Sequence, residues 1–228
     1  MVKRKRDDED GDESSGKRPR IAPFGAWLAG IERRVRHVQY QGEQAKAAGS
    51  KFVQAHLGPD SFMPRANDSK AKLPSGIRAA RTKYPECSFK AGHMLNCNLG
   101  GNGKNARNLT ILRAAANTRM TKHDNALARA CGHLRSLYEA LHAARADAAQ
   151  LSCCINVRVV VSKVKWGKEA PDSHITTRVS IIASVLHEPD LDKLITDSGL
   201  LADAKGALRR VQAEVNKGCG VVINRKPA

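Results

Sequence analysis

The chain has 228 residues, a formal net charge of +17 and a pI near 10.0. Such a charge points toward polyanionic partners, because clustered Lys and Arg gain by releasing counterions from nucleic acid. The length suits a single domain with a sizeable core and a polar tail, and the absence of an 18-residue apolar run or a secretory apolar segment leads us to expect no membrane partner.

Residues 1–22 are poor in apolar side chains and dense in charge: KRKR at 3–6, an acidic block from Asp7 to Glu13, then KRPR at 17–20. A segment of this composition cannot bury enough surface to fold, so disorder is expected. Its two basic clusters read as a bipartite nuclear localisation signal, with an import receptor engaging residues 3–20. The alternative is a solvated arm that touches phosphates. Residues 23–228 read as one domain.

From Pro23 to about Leu57 the pattern predicts helix, with Trp27, Ile31, Val35 and Val38 in an apolar stripe and a second helical piece carrying Phe52, Val53, His56 and Leu57. Residues 58–75, with Pro59, Pro64 and Pro74, predict a loop. Arg78, Arg81 and Lys83 follow, either as one wall of a nucleic-acid groove or as plain solvated surface. Phe89 to Leu95 predicts a short strand, residues 96–107 a glycine- and asparagine-rich loop, Asn108 to Leu112 a second strand, and Ala114 to about Gln150 a helix. Ile155 to Val161 and Ile175 to Val185 predict two strands joined as a hairpin through GKEAPDS. A last helix spans about Leu200 to Asn216, ended by Gly218 and Gly220, and the tail VVINRKPA either adds an edge strand or stays loose. The fold class predicted is α+β.

The six cysteines, Cys87, Cys97, Cys131, Cys153, Cys154 and Cys219, form no CxxC pair, and reduced thiols are the simpler reading. Zinc on Cys87, Cys97 and a histidine is the alternative, although the spacing fits no common structural site.

The chemistry concentrates in residues 89–125, where His93 and seven asparagines sit around a glycine-rich turn. His93 ends the first strand and Asn117 opens the helix, so a hairpin with the helix folded across it would bring both into one volume. Imidazole, with an ordinary pKa of about 6.5, can take a proton from an attacking water. An amide oxygen is a hard neutral ligand suited to Mg²⁺.

Gly92-His93, Asn108-Leu109-Thr110 and Asn117 nine residues after Asn108 resemble the active-site motif of the non-specific DNA/RNA endonucleases of the His-Me finger (ββα-metal) superfamily. AGHMLN at 91–96, GGNG at 100–103 and AAANTRM at 114–120 are similar to a branch found as toxin domains of bacterial secretion and contractile injection systems. The resemblance is close over about 40 residues and weaker to about residue 187. It implies a ββα-metal core with a small antiparallel sheet and flanking helices, His93 as general base and Asn117 as ligand to Mg²⁺, with Mn²⁺ as substitute. In place of the family's Asp-Arg before Gly-His the chain has Lys90-Ala91, and in place of a helical glutamate it has Asn125 beside Asp124. Asn108, Asp124 and Asn125 are expected to order water around the site.

Among the basic residues, Arg113 and Arg119 are expected to stabilise transition-state charge, and Lys90, Lys104, Arg107 and Lys122 to hold phosphates. The function expected is a metal-dependent endonuclease acting on DNA, RNA or both, as a secreted effector in a host nucleus, with an inhibitor (immunity) protein as further partner. The competing expectation is a catalytically silent nuclear nucleic-acid-binding protein of the same fold.

Overall fold

Residues 22–35, 37–41, 48–49, 51–62 and 73–227 are described by a computed structural model. The charged tail through residue 21 lies outside them, and with it the expectations of disorder and an import signal; so do residues 63–72 of the expected loop.

Helix α1 (Phe24–Val35) buries Leu28 and Ile31. Its Trp27 ring stacks edge-on against Tyr138 at 6.1 Å, and the indole Nε1 donates to the Ala146 carbonyl at 3.3 Å. The expected continuation as helix to residue 57 is not what forms. Strands β1 (His37–Gln41) and β2 (Phe52–Leu57) pair antiparallel, with His37 opposite His56 and Gln41 opposite Phe52. The reason is a period of two: Val53, Ala55 and Leu57 are fully buried while Phe52, Gln54 and His56 between them are only half-buried. Val38 continues the spacing of Trp27 and Ile31 by coincidence.

Strand β2 pairs with β5 (Cys154–Val161), β5 with β6 (Arg178–Leu186) and β6 with β7 (Gly220–Ile223), giving an antiparallel sheet of order β1-β2-β5-β6-β7. Its inner face carries Val53, Ala55, Leu57, Ile155, Val157, Val159, Val179 and Ile181. Two long helices cover that face: α3 (Ala114–Ala143), through Leu127, Cys131, Leu134 and Tyr138, and α5 (Ser198–Gly218), through Ala204, Ala207, Val211 and Val215. A short helix α4 (Leu191–Leu194) precedes α5. The α+β class is as expected, and the tail forms the edge strand β7. Ile175 falls outside β6, in a longer β5–β6 connection.

Between β2 and β5 the chain makes an excursion that carries the candidate site. Helix α2 (Gly76–Lys83), for which no element is expected from the sequence, leads into the hairpin β3 (Phe89–His93) and β4 (Leu109–Arg113), and α3 begins on the next residue. A second, smaller core of Ile77, Phe89, Ile111, Trp166 and Ile175 anchors this unit. Arg81 and Lys83, weighed as groove residues, are used in the fold: Arg81 donates twice to the Phe89 carbonyl (2.8 and 3.2 Å), and Lys83 pairs with Asp172 at 3.0 Å.

Candidate functional site

The hairpin places Gly92 opposite Thr110 and His93 opposite Leu109. The start of α3 is tied to the start of β3 by Ala114, whose N–H donates to the Ser88 carbonyl at 2.6 Å. The turn between the strands explains most of the local wealth of asparagine. Asn108 is fully buried and clamps Leu95 from both sides: its Oδ1 accepts from the Leu95 N–H at 2.9 Å and its Nδ2 donates to the Leu95 carbonyl at 2.8 Å. Gly101 lies so close that a Cβ would stand 2.0 Å from the Leu95 oxygen, which requires glycine there. Asn96, Asn102 and Asn105 each accept, through the side-chain oxygen, from the N–H two residues on, at 2.9 Å in every case. These are Asx turns, in which the amide substitutes for a backbone partner. Asn108 therefore acts by fixing the loop rather than by ordering water.

Of the remaining amides, Asn117 is the one placed against β3. It is half-buried, and its Oδ1 lies 2.9 Å from where a Cβ on Gly92 would stand. Only glycine at 92 lets the amide oxygen rest against the β3 backbone, one residue from His93. Alternation along β3 sends the half-buried His93 side chain to the face of Phe89 and Ile111, and leaves Gly92 and Lys90 on the face toward α3. Imidazole and amide thus flank the end of β3 from its two sides.

Asp124 shares the flank of α3 with Asn117: seven residues bring the helix back to within about 20°, some 10 Å further along its axis. Its carboxyl accepts from Asn96 Nδ2 at 3.1 Å. Burial pushes its pKa up to about 6, against the lowering effects of the Asn96 bond and the nearby His123. Asn125 lies about 80° around the helix from Asn117 and is exposed, so Asp124 is the one of the pair that faces the hairpin turn.

The basic candidates divide. Lys90 is exposed on the Asn117 side of β3, and Lys104 and Arg107 are exposed on the turn. Lys122 is exposed about 140° around α3 from Asn117. Arg119 lies about 160° around, on the opposite flank, where its Nη2 donates to the Ile223 carbonyl at 2.6 Å. Arg113 likewise donates through Nη1 to the Arg225 carbonyl at 3.2 Å. The structure does not bring these two arginines to Asn117; it ties them to the C-terminal tail.

Asn117 offers one hard amide oxygen, and the Asp124 carboxyl, about 10 Å further along the helix, could act on a hydrated ion only through water. Among the described residues no three His, Cys, Asp or Glu side chains gather as a metal cluster, so the zinc alternative on Cys87 and Cys97 has no support. All six cysteines are unbridged. The residues that sequence reasoning missed are Asn224 and Arg225, which meet Arg113 from more than a hundred positions away. A lone Asn-Arg in a short tail carries no local signal of that meeting. Comparison with models of known families, with curated proteins and with solved structures finds no match to this chain.

Proposed function

We propose that the protein is a metal-dependent, non-specific endonuclease of the His-Me finger (ββα-metal) type, hydrolysing phosphodiester bonds in DNA, RNA or both. One observation carries the reading: the Asn117 amide oxygen rests against Gly92, beside His93, on a unit of two paired strands and a helix. In this reading His93 accepts the proton of the attacking water. Asn117 Oδ1 would hold the cation, with Asp124 and Asn96 orienting water near it. A bound Mg²⁺ supplies charge that polarises the phosphate and steadies the leaving oxygen. Lys90, Lys104 and Arg107 hold the strand through its phosphates, which gives affinity without sequence preference.

Digestion of plasmid and total RNA tests this, with Mg²⁺, with EDTA, and with His93→Ala in Mg²⁺; cleavage is expected in the first alone. Cleavage by His93→Ala at the full rate excludes His93 as the base. The competing reading, a silent nucleic-acid-binding protein, is favoured by the placement of His93 and Asn117 on the two faces of β3. It requires binding with no cleavage under any of the three conditions.

The same proposal includes action in a host nucleus as a secreted effector, with an immunity protein as inhibitor. A fluorescent fusion of residues 1–20 checks the import step, and retention in the cytoplasm counts against it.

A further inference from the structure

On the flank of α3 turned away from Asn117 lies a recess of about 420 Å³ lined by Arg113, Arg119 and Arg225, with Ala115 and Ala116 of the first turn of α3 beside them. None of the described residues lining it is acidic. Arg113 and Arg119 each direct one N–H at a main-chain carbonyl of the tail, at 3.2 and 2.6 Å. Those bonds fix the planes of the guanidinium groups without neutralising them, and a guanidinium has five N–H donors, so most of each fork remains for another acceptor.

The opposite wall is rigid. Asn224 is buried, accepts from the Arg113 N–H at 3.1 Å and donates through Nδ2 to the Thr176 carbonyl at 2.8 Å. Its own carbonyl accepts from Trp166 Nε1 at 2.8 Å, and Lys226 pairs with Asp172 at 2.8 Å.

The electrostatics run against ordinary helix rules. A helix N-terminus carries partial positive charge and favours Asp or Glu. Here the first turn of α3 has no acidic residue, and its N-cap is Arg113, which makes no side-chain cap bond. Three cations therefore converge on an end that is already positive. Local rules are broken in this way where a ligand supplies the missing charge.

We propose that this recess binds a phosphoryl oxyanion, and that in the nucleic-acid complex it grips a backbone phosphate away from the one beside His93. The inference concerns binding alone and stands apart from hydrolysis: a protein with no nuclease activity would still bind phosphate here.

The test uses the full chain in EDTA, so that cleavage plays no part. Inorganic phosphate is titrated calorimetrically into the wild type, the double variant Arg119→Gln/Arg225→Gln and the charge-matched control Lys168→Gln/Arg209→Gln, whose two positions are exposed and outside the recess lining. The recess variant is expected to bind at least tenfold more weakly, and the control to stay within twofold of the wild type. No binding by the wild type, or an equal loss in the control, overturns the proposal.

Arg225→Gln alone, at an exposed tail position, serves if the double variant unfolds, with the phosphate-induced rise in Tm as readout; an undiminished rise overturns the proposal. A labelled 20-nucleotide single strand separates the two sources of phosphate. If the recess grips the polymer, the double variant lowers the slope of log affinity against log salt by about 0.7, the single-strand value for one phosphate, and phosphate competes with the oligonucleotide. An unchanged slope without competition overturns the polymer assignment and leaves free phosphate as the ligand.

Discussion

Asn117 and Arg119 stand two residues apart on α3 and face opposite electrostatic tasks. The Asn117 flank offers a neutral amide oxygen at Gly92 and a half-buried carboxyl at Asp124, both suited to a cation and its water. The Arg119 flank offers guanidinium groups braced on the tail, suited to an anion. A single helix can serve both because successive positions turn about 100°, so two residues place side chains on opposite sides. Basic residues close in sequence to a candidate catalytic group are thus poor candidates for touching the same phosphate. The fold decides which flank each one serves.

The largest effect expected at the candidate site comes from His93→Ala, which should slow Mg²⁺-dependent plasmid cleavage by about 10²–10⁴-fold. Binding of the same DNA in EDTA should be unchanged within about twofold, since general-base catalysis and phosphate holding are separate contributions in this arrangement. Loss of binding equal to the loss of rate would merge the two flanks into one site and break the comparison.

Next is Asn108→Ala, which leaves both the N–H and the carbonyl of buried Leu95 without their 2.9 and 2.8 Å partners. A cost of about 3 kcal/mol is expected from two unsatisfied buried groups, read from the urea midpoint. A change below about 0.5 kcal/mol would show that the clamp contributes nothing and that the asparagine has another role.

Gly92→Ala sharpens the comparison further. The new methyl would stand 2.9 Å from Asn117 Oδ1 and 2.8 Å from Leu112 Cδ1, so the amide must move. Cleavage should fall by about 10–100-fold, in line with the rate lost when a positioned group shifts by about an ångström. Phosphate binding at the recess, on the far flank, should be untouched; a matching loss there would mean that the whole helix start had shifted.

Periodicity made the elements of the main core legible. Leu127, Cys131, Leu134 and Tyr138 announce α3, and the alternation of Ile155, Val157 and Val159 announces β5, because each element buries one face against the same core. The β1–β2 pair reads as helix in the sequence because Val38 happens to extend the stripe of Trp27 and Ile31, while the pairing that decides between the forms is made with β5, about a hundred residues away. At the candidate site the spacing predicts His93 and Asn117 in one volume, whereas the structure rests Asn117 against Gly92 and turns His93 to the other face of β3. The task of the other amides was not legible: whether an asparagine caps a turn or faces a ligand depends on backbone angles that its neighbours do not encode. Arg113 and Arg119 show the same limit, since their orientation is set by carbonyls at Ile223 and Arg225.

Asp124 gives the smallest effect and the finest discrimination. Burial raises its carboxyl from 3.8 to about 6, with the Asn96 bond and His123 only partly offsetting it. Between those two values the folded protein binds more protons than the unfolded chain, so this group's contribution to stability is complete below about pH 4 and is lost as pH rises through about 6. Asp124→Asn removes the titration while its side-chain oxygen can still accept from Asn96. The variant should match the wild type at pH 4 and exceed it by about 1–2 kcal/mol at pH 7.5, the full shift being discounted for the solvent that still reaches the group. An equal difference at both pH values would exclude the buried charge as its cause. The same variant separates folding from function on this flank: a gain in stability with cleavage slowed about tenfold assigns the charge to water around the cation, because a group held at a cost to the fold is expected where activity requires it. A gain in stability with cleavage unchanged assigns Asp124 to the hairpin turn alone, and leaves Asn117 as the sole cation-facing group of α3.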